Sequence, residues 1–488
     1  MRDPMRPGDQ SMKSPFRIAA VVMTAGLLAL APAFAASAVT QAAWAPASSV
    51  ASDADDPVVA SDGATIVTSW IDDSTPGGAI KFQVTTDGGA TWSSITTLTA
   101  PNTYPDDVSV SVSGTTIGFA YFSGWNSDVM ATVSVDAGST FSQLVVVSGA
   151  SQPEIAVAGS TATLAWIQSG TVSASTTSDG GVTWGAPAAV SAVGSPTDLH
   201  ATRSTTSSTL AWSEFDSVVW ADSFHTSVSM DGATWSSPAV VVPAGLDLAH
   251  IVQSGSTVTV VYLFTDPGTS DESIRVVRSA DNGITWSAPL TLDSVVDADD
   301  PELTLNGARM AVAYTADGAS GDPVLRVVSS TDGGATWGSP VVAFDGGGAD
   351  IDEYRAFSLD DALVATYNVE VGSSMELRAI SSVDGGLTWT APVLYDSTGD
   401  GVTPVLVGFG NRVSLLWVSD SGELSRAVLT AMPDTASPAA AAQPVVVAPR
   451  LPDTGASLEM PFALGAMALI AGAALVETAR MRTKRASD

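Results

Sequence analysis

From residue 44 to residue 430 the chain runs as short stretches in which apolar and polar positions alternate with a period of two. Thr257-Val258-Thr259-Val260-Val261-Tyr262 is one of them. A two-residue period sends successive side chains to opposite faces of a strand. Residues such as Val, Thr and Tyr suit a pleated surface. The pattern therefore predicts many short strands joined by turns, buried between stacked sheets. Several runs end in a large aromatic, at Trp70, Tyr121, Trp166, Trp212, Tyr262, Tyr314, Tyr367 and Trp417.

About twenty residues after each aromatic except Trp417 a turn motif follows: Ser or Thr, any residue, Asp, any, Gly, any, Thr, then Trp or Phe. It occupies Thr85 to Trp92, Ser134 to Phe141, Thr177 to Trp184, Ser279 to Trp286, Ser330 to Trp337 and Ser382 to Trp389, with a copy one residue shorter at Ser229 to Trp235. The aspartates Asp87, Asp136, Asp179, Asp231, Asp281, Asp332 and Asp384 are spaced 43 to 52 residues apart. A period near fifty indicates a propeller blade or a similar unit. The residue types explain themselves structurally: a carboxylate accepts hydrogen bonds in a tight turn, glycine permits positive φ, and an aromatic ring fills space between sheets.

These motifs resemble the Asp boxes, or BNR repeats, of sialidase-like propellers, over nearly four-fifths of the chain. The resemblance implies an all-β fold, a single β-propeller of four-stranded blades spanning 39–430. The eight aromatics count eight blades; seven is the alternative, should the last unit, Pro404 to Leu429, with only three strand-like runs, form no blade. Trp44-Ala45-Pro46 reads like the Trp-x-x-Pro opening of a fourth strand, so the N-terminal strand is expected to complete the last blade and close the ring.

The two ends read as addresses. Lys13 and Arg17 precede an apolar run, Ile18 to Leu30, and then small residues at Ala33, Ala35, Ala36 and Ala38, the order of a secretory signal peptide over 1–38. At the other end, Leu451, Pro452, Asp453, Thr454 and Gly455 stand before an apolar segment at 460–476 and a basic tail with Arg480, Arg482, Lys484 and Arg485. This resembles the LPxTG sorting signal of Gram-positive surface proteins. An apolar segment of that length spans a bilayer, and the basic tail holds its end inside. The resemblance implies that a sortase cleaves after Thr454 and joins it to peptidoglycan, so the membrane is a partner only before sorting. The expected location is outside the cell, covalently attached to the cell wall. Residues 431–450, with four prolines among alanines and valines, read as a wall-spanning linker.

Composition narrows the chemistry. The chain has 488 residues, 43 Gly, 27 Pro, 14% charged residues and no cysteine, so it has neither disulfides nor a thiolate site. Net charge is −32, and residues 44 to 449 hold ten basic against 45 acidic residues. A phosphate-gripping face is excluded, and with it nucleic acid. Cations, basic proteins and neutral glycans stay open. The three histidines, His200, His225 and His250, read as packed or exposed strand residues.

Sialidase chemistry does not carry over with the resemblance. It implies three arginines that clamp a sugar carboxylate, the first in a Phe/Tyr-Arg-Ile-Pro motif on the first innermost strand. Here that strand, Asp56-Pro57-Val58-Val59-Ala60, has no arginine, and Phe16-Arg17-Ile18 lies in the signal peptide. Lys81, Arg275, Arg326 and Arg378 each stand six residues before a box aspartate. A position repeated in this way reads as one of packing or ion pairing. No catalytic residue is assigned. Asp56, Asp107, Glu154, Asp198, Asp300 and Asp352, near the starts of innermost strands, together with the non-repeated Arg355, are expected on one ligand or cation face. Calcium or a basic partner would suit clustered carboxylates, whereas plain solubility explains them as well; no EF-hand spacing occurs and no metal ligands are assigned. The expectation is a monomeric binding module, an adhesin or a module recognising glycan or protein, with an exo-acting sialidase-type hydrolase and a structural envelope spacer as alternatives.

Overall fold

The computed structural model describes residues 43–430 apart from 101, 125, 217–220, 267, 299–300, 360–361, 373, 400–403 and 411, and in addition residues 471–475. The stretches expected to be signal peptide (1–38), linker (431–450) and sorting pentapeptide (Leu451 to Gly455) lie outside the described residues. So does most of the apolar segment 460–476, of which only Ala471–Leu475 is described, as a short strand paired with Val59–Ser61 and Gln253–Ser254.

The described residues form strands and turns without a helix, arranged as several four-stranded antiparallel sheets in a propeller-like manner. All but the last sheet run in chain order. In the second, Pro105–Ser113 pairs with Thr116–Ser123, that with Asp128–Ser134, and that with Val145–Ser148. One long strand, Ala239–Ser254, serves two sheets, closing the fourth with its first half and opening the fifth with its second. Two N-terminal strands, Ala43–Trp44 and Ser48–Ala51, pair with Leu424–Thr430 of the last sheet.

The two-residue period predicts burial on both faces, and the sheets stack accordingly. Val67 and Phe82 of the first sheet pack with Val110, Ile117 and Phe119 of the second, and each later pair of neighbouring sheets shares a core of the same kind. A further core joins Val59, Ile66 and Trp70 of the first sheet to Val407, Leu416 and Leu424 of the last. The second-strand aromatics lie at the centre of these layers, and Trp70, Trp166, Trp212, Tyr262, Tyr314, Tyr367 and Trp417 have essentially no exposed surface. A ring of that size buries on the order of 200 Å², about 5 kcal/mol of transfer free energy.

The first strands of consecutive sheets lie against one another, and Val405–Phe409 of the last sheet packs on Ala54–Ser61 of the first. Between the second and third sheets this approach is tied by serines. The hydroxyls of Ser109, Ser111 and Ser113 accept the backbone N–H groups of Ile155, Val157 and Gly159 at 3.1, 3.1 and 3.2 Å. Gly118 lies under the same contact, where a Cβ would come within 2.8 Å of Val157 and 2.9 Å of Ile155.

Candidate functional site at the starts of the innermost strands

The turn aspartates are structural. Each lies on the turn after a third strand and closes that turn on itself. Asp179 Oδ1 accepts the Thr177 hydroxyl at 2.8 Å and the Thr183 N–H at 2.9 Å, while Oδ2 accepts the Thr183 hydroxyl at 2.6 Å. Asp87, Asp136, Asp281, Asp332 and Asp384 repeat the arrangement. In the shorter copy Asp231 makes the equivalent bonds to Ala233 and Thr234, one residue sooner. Side-chain and backbone donors hold these carboxyls well below the usual range, to about 2 at Asp136, Asp179, Asp332 and Asp384. The aromatic that ends each motif packs into the core shared with the preceding sheet, as Phe141 does against Phe82 at 5.7 Å.

The third-strand cations are held close to home. Lys81 pairs with Asp72 at 2.8 Å, Arg326 with Asp293 at 2.8 Å and Arg378 with Glu376 at 2.6 Å. Arg275 lies over the Phe264 ring at 3.6 Å.

At the opposite ends of the sheets, the innermost strands share a bulge. In five of them a non-glycine residue adopts φ between 44° and 53°: Asp56, Asp107, Gln152, Asp198 and Glu353. The pairing register slips at the same place, opposite the buried aromatic of the second strand. A bulge bends the strand and re-aims the side chains that follow, and a positive φ at such residues is a strained conformation that the surrounding fold must hold.

The bulge sorts the acids expected on one face into distinct places. Asp56, Asp107 and Asp198 occupy the positive-φ position itself. Asp352 precedes it, Glu154 lies two residues beyond it, and Asp300 falls outside the described residues. Among the described acids these positions are not equivalent. What gathers at the rim is a group between the first two sheets, where desolvation and the charges of Asp55, Asp106, Asp73 and Asp107 push Asp56 up to about 6. No group of three or more His, Asp or Glu side chains arranged to hold a metal occurs among the described residues.

A second set of residues was not expected as a set. Each innermost strand has one residue, two positions after the positive-φ residue where that is described, that pairs with the residue just before the second-strand aromatic. These positions are Val58, Ser109, Glu154, His200, His250, Glu302, Arg355 and Val405. From the second sheet to the seventh they are polar, and several of them meet. The Ser109 hydroxyl lies 3.3 Å from Glu154 Oε2. His250 Nε2 is 3.7 Å from Glu302 Oε1, and Arg355 Nη1 reaches the same oxygen at 3.2 Å while donating to the Tyr354 carbonyl at 2.6 Å. Glu154, Glu302 and Arg355 are only 6, 5 and 3% exposed. His200 keeps some accessible surface but is enclosed by protein; that enclosure and the neighbouring His250 lower its pKa to about 4, so the ring is neutral at ordinary pH. The two histidines are strand residues, as expected, and stand at the level of this polar cluster. His225 is apart from it, stacked on Trp212 at 5.8 Å on a third strand.

Arg355 is the sole arginine at this level of the innermost strands, and its head group is engaged with Glu302. Tyr354 is 4% exposed and packed in the core between the sixth and seventh sheets.

No family model matches the chain, and no curated protein matches it. Solved structures similar to it include the Hadza microbial sialidase Hz136, 13% identical over 64% of this chain and 76% of that one, with a TM-score of 0.33. An ulvan lyase of polysaccharide lyase family PL25 is 11% identical over 65% and 90%, with a TM-score of 0.44. A Trypanosoma rangeli sialidase in complex with 2,3-difluorosialic acid is 12% identical over 72% and 57%, with a TM-score of 0.36.

Proposed function

We propose that the protein is a cell-wall-anchored surface protein whose propeller recognises a glycan at the end where the innermost strands begin. In this reading the chain is exported by residues 1–38 and joined by sortase to peptidoglycan at Thr454. A closed ring of eight blades stands clear of the membrane on the 431–450 linker. Closure is supported by the core shared between the first and last sheets and by the N-terminal strands paired to the last sheet. A basic protein is the other ligand that the negative rim would favour.

The observation that carries binding over sialoside hydrolysis is the state of Arg355. A carboxylate clamp needs several arginines free to meet an anionic sugar, whereas this one is buried against Glu302 at 3.2 Å. A hydrolytic reading draws on Glu154 and Glu302, two buried carboxylates at the same level of the innermost strands of the third and sixth sheets, since glycosidases work with carboxylate pairs. A glycan array read beside a reducing-sugar assay separates the two. Saturable binding without product supports recognition; release of sugar from any bound glycan, or turnover of a fluorogenic sialoside, overturns it. Thr454→Ala is expected to move the protein from the wall fraction to the membrane fraction, and wall attachment of that variant would refute the anchoring.

A further inference from the structure

We infer that the polar cluster on the innermost strands is a subsite for an uncharged saccharide residue, with Glu302 Oε2 accepting a ligand hydroxyl beside His200 and His250. The inference rests on the glycan-binding reading and names the chemistry of the ligand.

Glu302 is 5% exposed, and its Oε2 has no hydrogen-bond partner among the described residues. A buried carboxylate oxygen left without a donor costs on the order of 1–3 kcal/mol, so such atoms are rare unless a partner arrives. Oε1 of the same group is engaged by Arg355 at 3.2 Å and faced by His250 at 3.7 Å. Arg355 thus neutralises the carboxylate, and the open oxygen favours a neutral donor over a second cation. A neutral imidazole offers one donor and one acceptor nitrogen, which matches a hydroxyl, itself donor and acceptor, better than an ammonium group. His200 is held neutral by its enclosure. In the first and last sheets the equivalent positions are Val58 and Val405, so the polar arc faces an apolar gap. A sugar ring has the same division, with hydroxyls at its edge and C–H groups on its face.

The test titrates the full chain with methyl glycosides of galactose, mannose, glucose, fucose and N-acetylglucosamine, and with glucosamine and 3′-sialyllactose. At least one neutral glycoside is expected to saturate. Glu302→Gln and His200→Phe are each expected to weaken it about tenfold, the worth of one hydrogen bond. His200→Phe leaves the Arg355–Glu302 pair intact, which keeps the test valid should Glu302→Gln fold poorly. If only glucosamine or sialyllactose binds, the inference falls while glycan recognition stands. If a neutral glycoside binds but ignores both variants, the subsite is elsewhere and the inference again falls. If nothing in the panel and nothing on a glycan array binds, both readings fall together.

Discussion

Breaking the Arg355–Glu302 pair tests whether the cluster is desolvated. The two side chains are 3 and 5% exposed and lie 3.2 Å apart. At an effective dielectric constant near 20 their attraction is about 5 kcal/mol before desolvation is counted. Removing one partner strands a buried charge, and such single losses cost about 3–5 kcal/mol. Arg355→Met is therefore expected to destabilise by about 3–5 kcal/mol, with Glu302→Leu similar. The double variant, which removes both charges and keeps the volume, is expected to recover most of that loss. Urea unfolding followed by tryptophan fluorescence gives the four corners of the cycle. A single-variant cost below about 1 kcal/mol, or a double variant no better than the sum of the singles, would refute the reasoning. Either result would mean that water screens the pair and that the cluster is an open surface.

Three further expectations follow from other parts of the molecule. The turn aspartates have depressed folded-state pKa values and therefore stabilise the fold at pH above their unfolded value near 4; this is lost as pH falls toward about 2, so a melting curve recorded from pH 5 to 2 should fall through that window and a flat profile would contradict it. Asp56 has the opposite sign: its pKa is raised to about 6, which costs stability as pH rises from about 4 through 6, so Asp56→Asn should raise the melting temperature at pH 7.5, on the order of 1 kcal/mol after solvent screening, and do nothing at pH 3. Trp44 packs edge-on against Tyr395 at 5.7 Å in the core shared by the seventh and last sheets. Trp44→Ala should cost about 3 kcal/mol in denaturant unfolding, and a loss below 1 kcal/mol would show that the N-terminal strands do not fasten the last sheet.

The turn motif was legible because its chemistry is local: every hydrogen bond of Asp332 runs to a residue at most four positions away. The buried aromatics were legible for a related reason, since a strand-ending Trp or Tyr repeated near every fifty residues has few roles other than a core. The cluster was harder. Glu154 and Arg355 were singled out separately, as an acid near a strand start and as an arginine outside the repeat, while His200 and His250 drew no functional notice. What joins them is register across a hairpin that contains a bulge, and alternation alone does not show where a bulge falls. A signal was nevertheless present. Val58, Ser109, Glu154, His200, His250, Glu302, Arg355 and Val405 each stand twelve residues before the aromatic of their own sheet. The spacing stays constant because the register of the first hairpin past this position is the same in every unit.

That constancy changes what a repeated position means. Lys81, Arg275, Arg326 and Arg378 share a place on third strands, and each is spent on a neighbour within or beside its own sheet. Repetition there scatters the cations, because third strands are separated from one another by the width of a sheet. On the innermost strands the same repetition brings residues together, because those strands pack directly on each other. Equivalent positions then become neighbours, and sites 45 to 53 residues apart in the chain meet, Ser109 with Glu154, and His250 and Arg355 with Glu302. A binding surface in such a fold needs no convergence of unlike positions. It needs unlike residues at one position, and valine at both ends of the series marks where the polar arc stops.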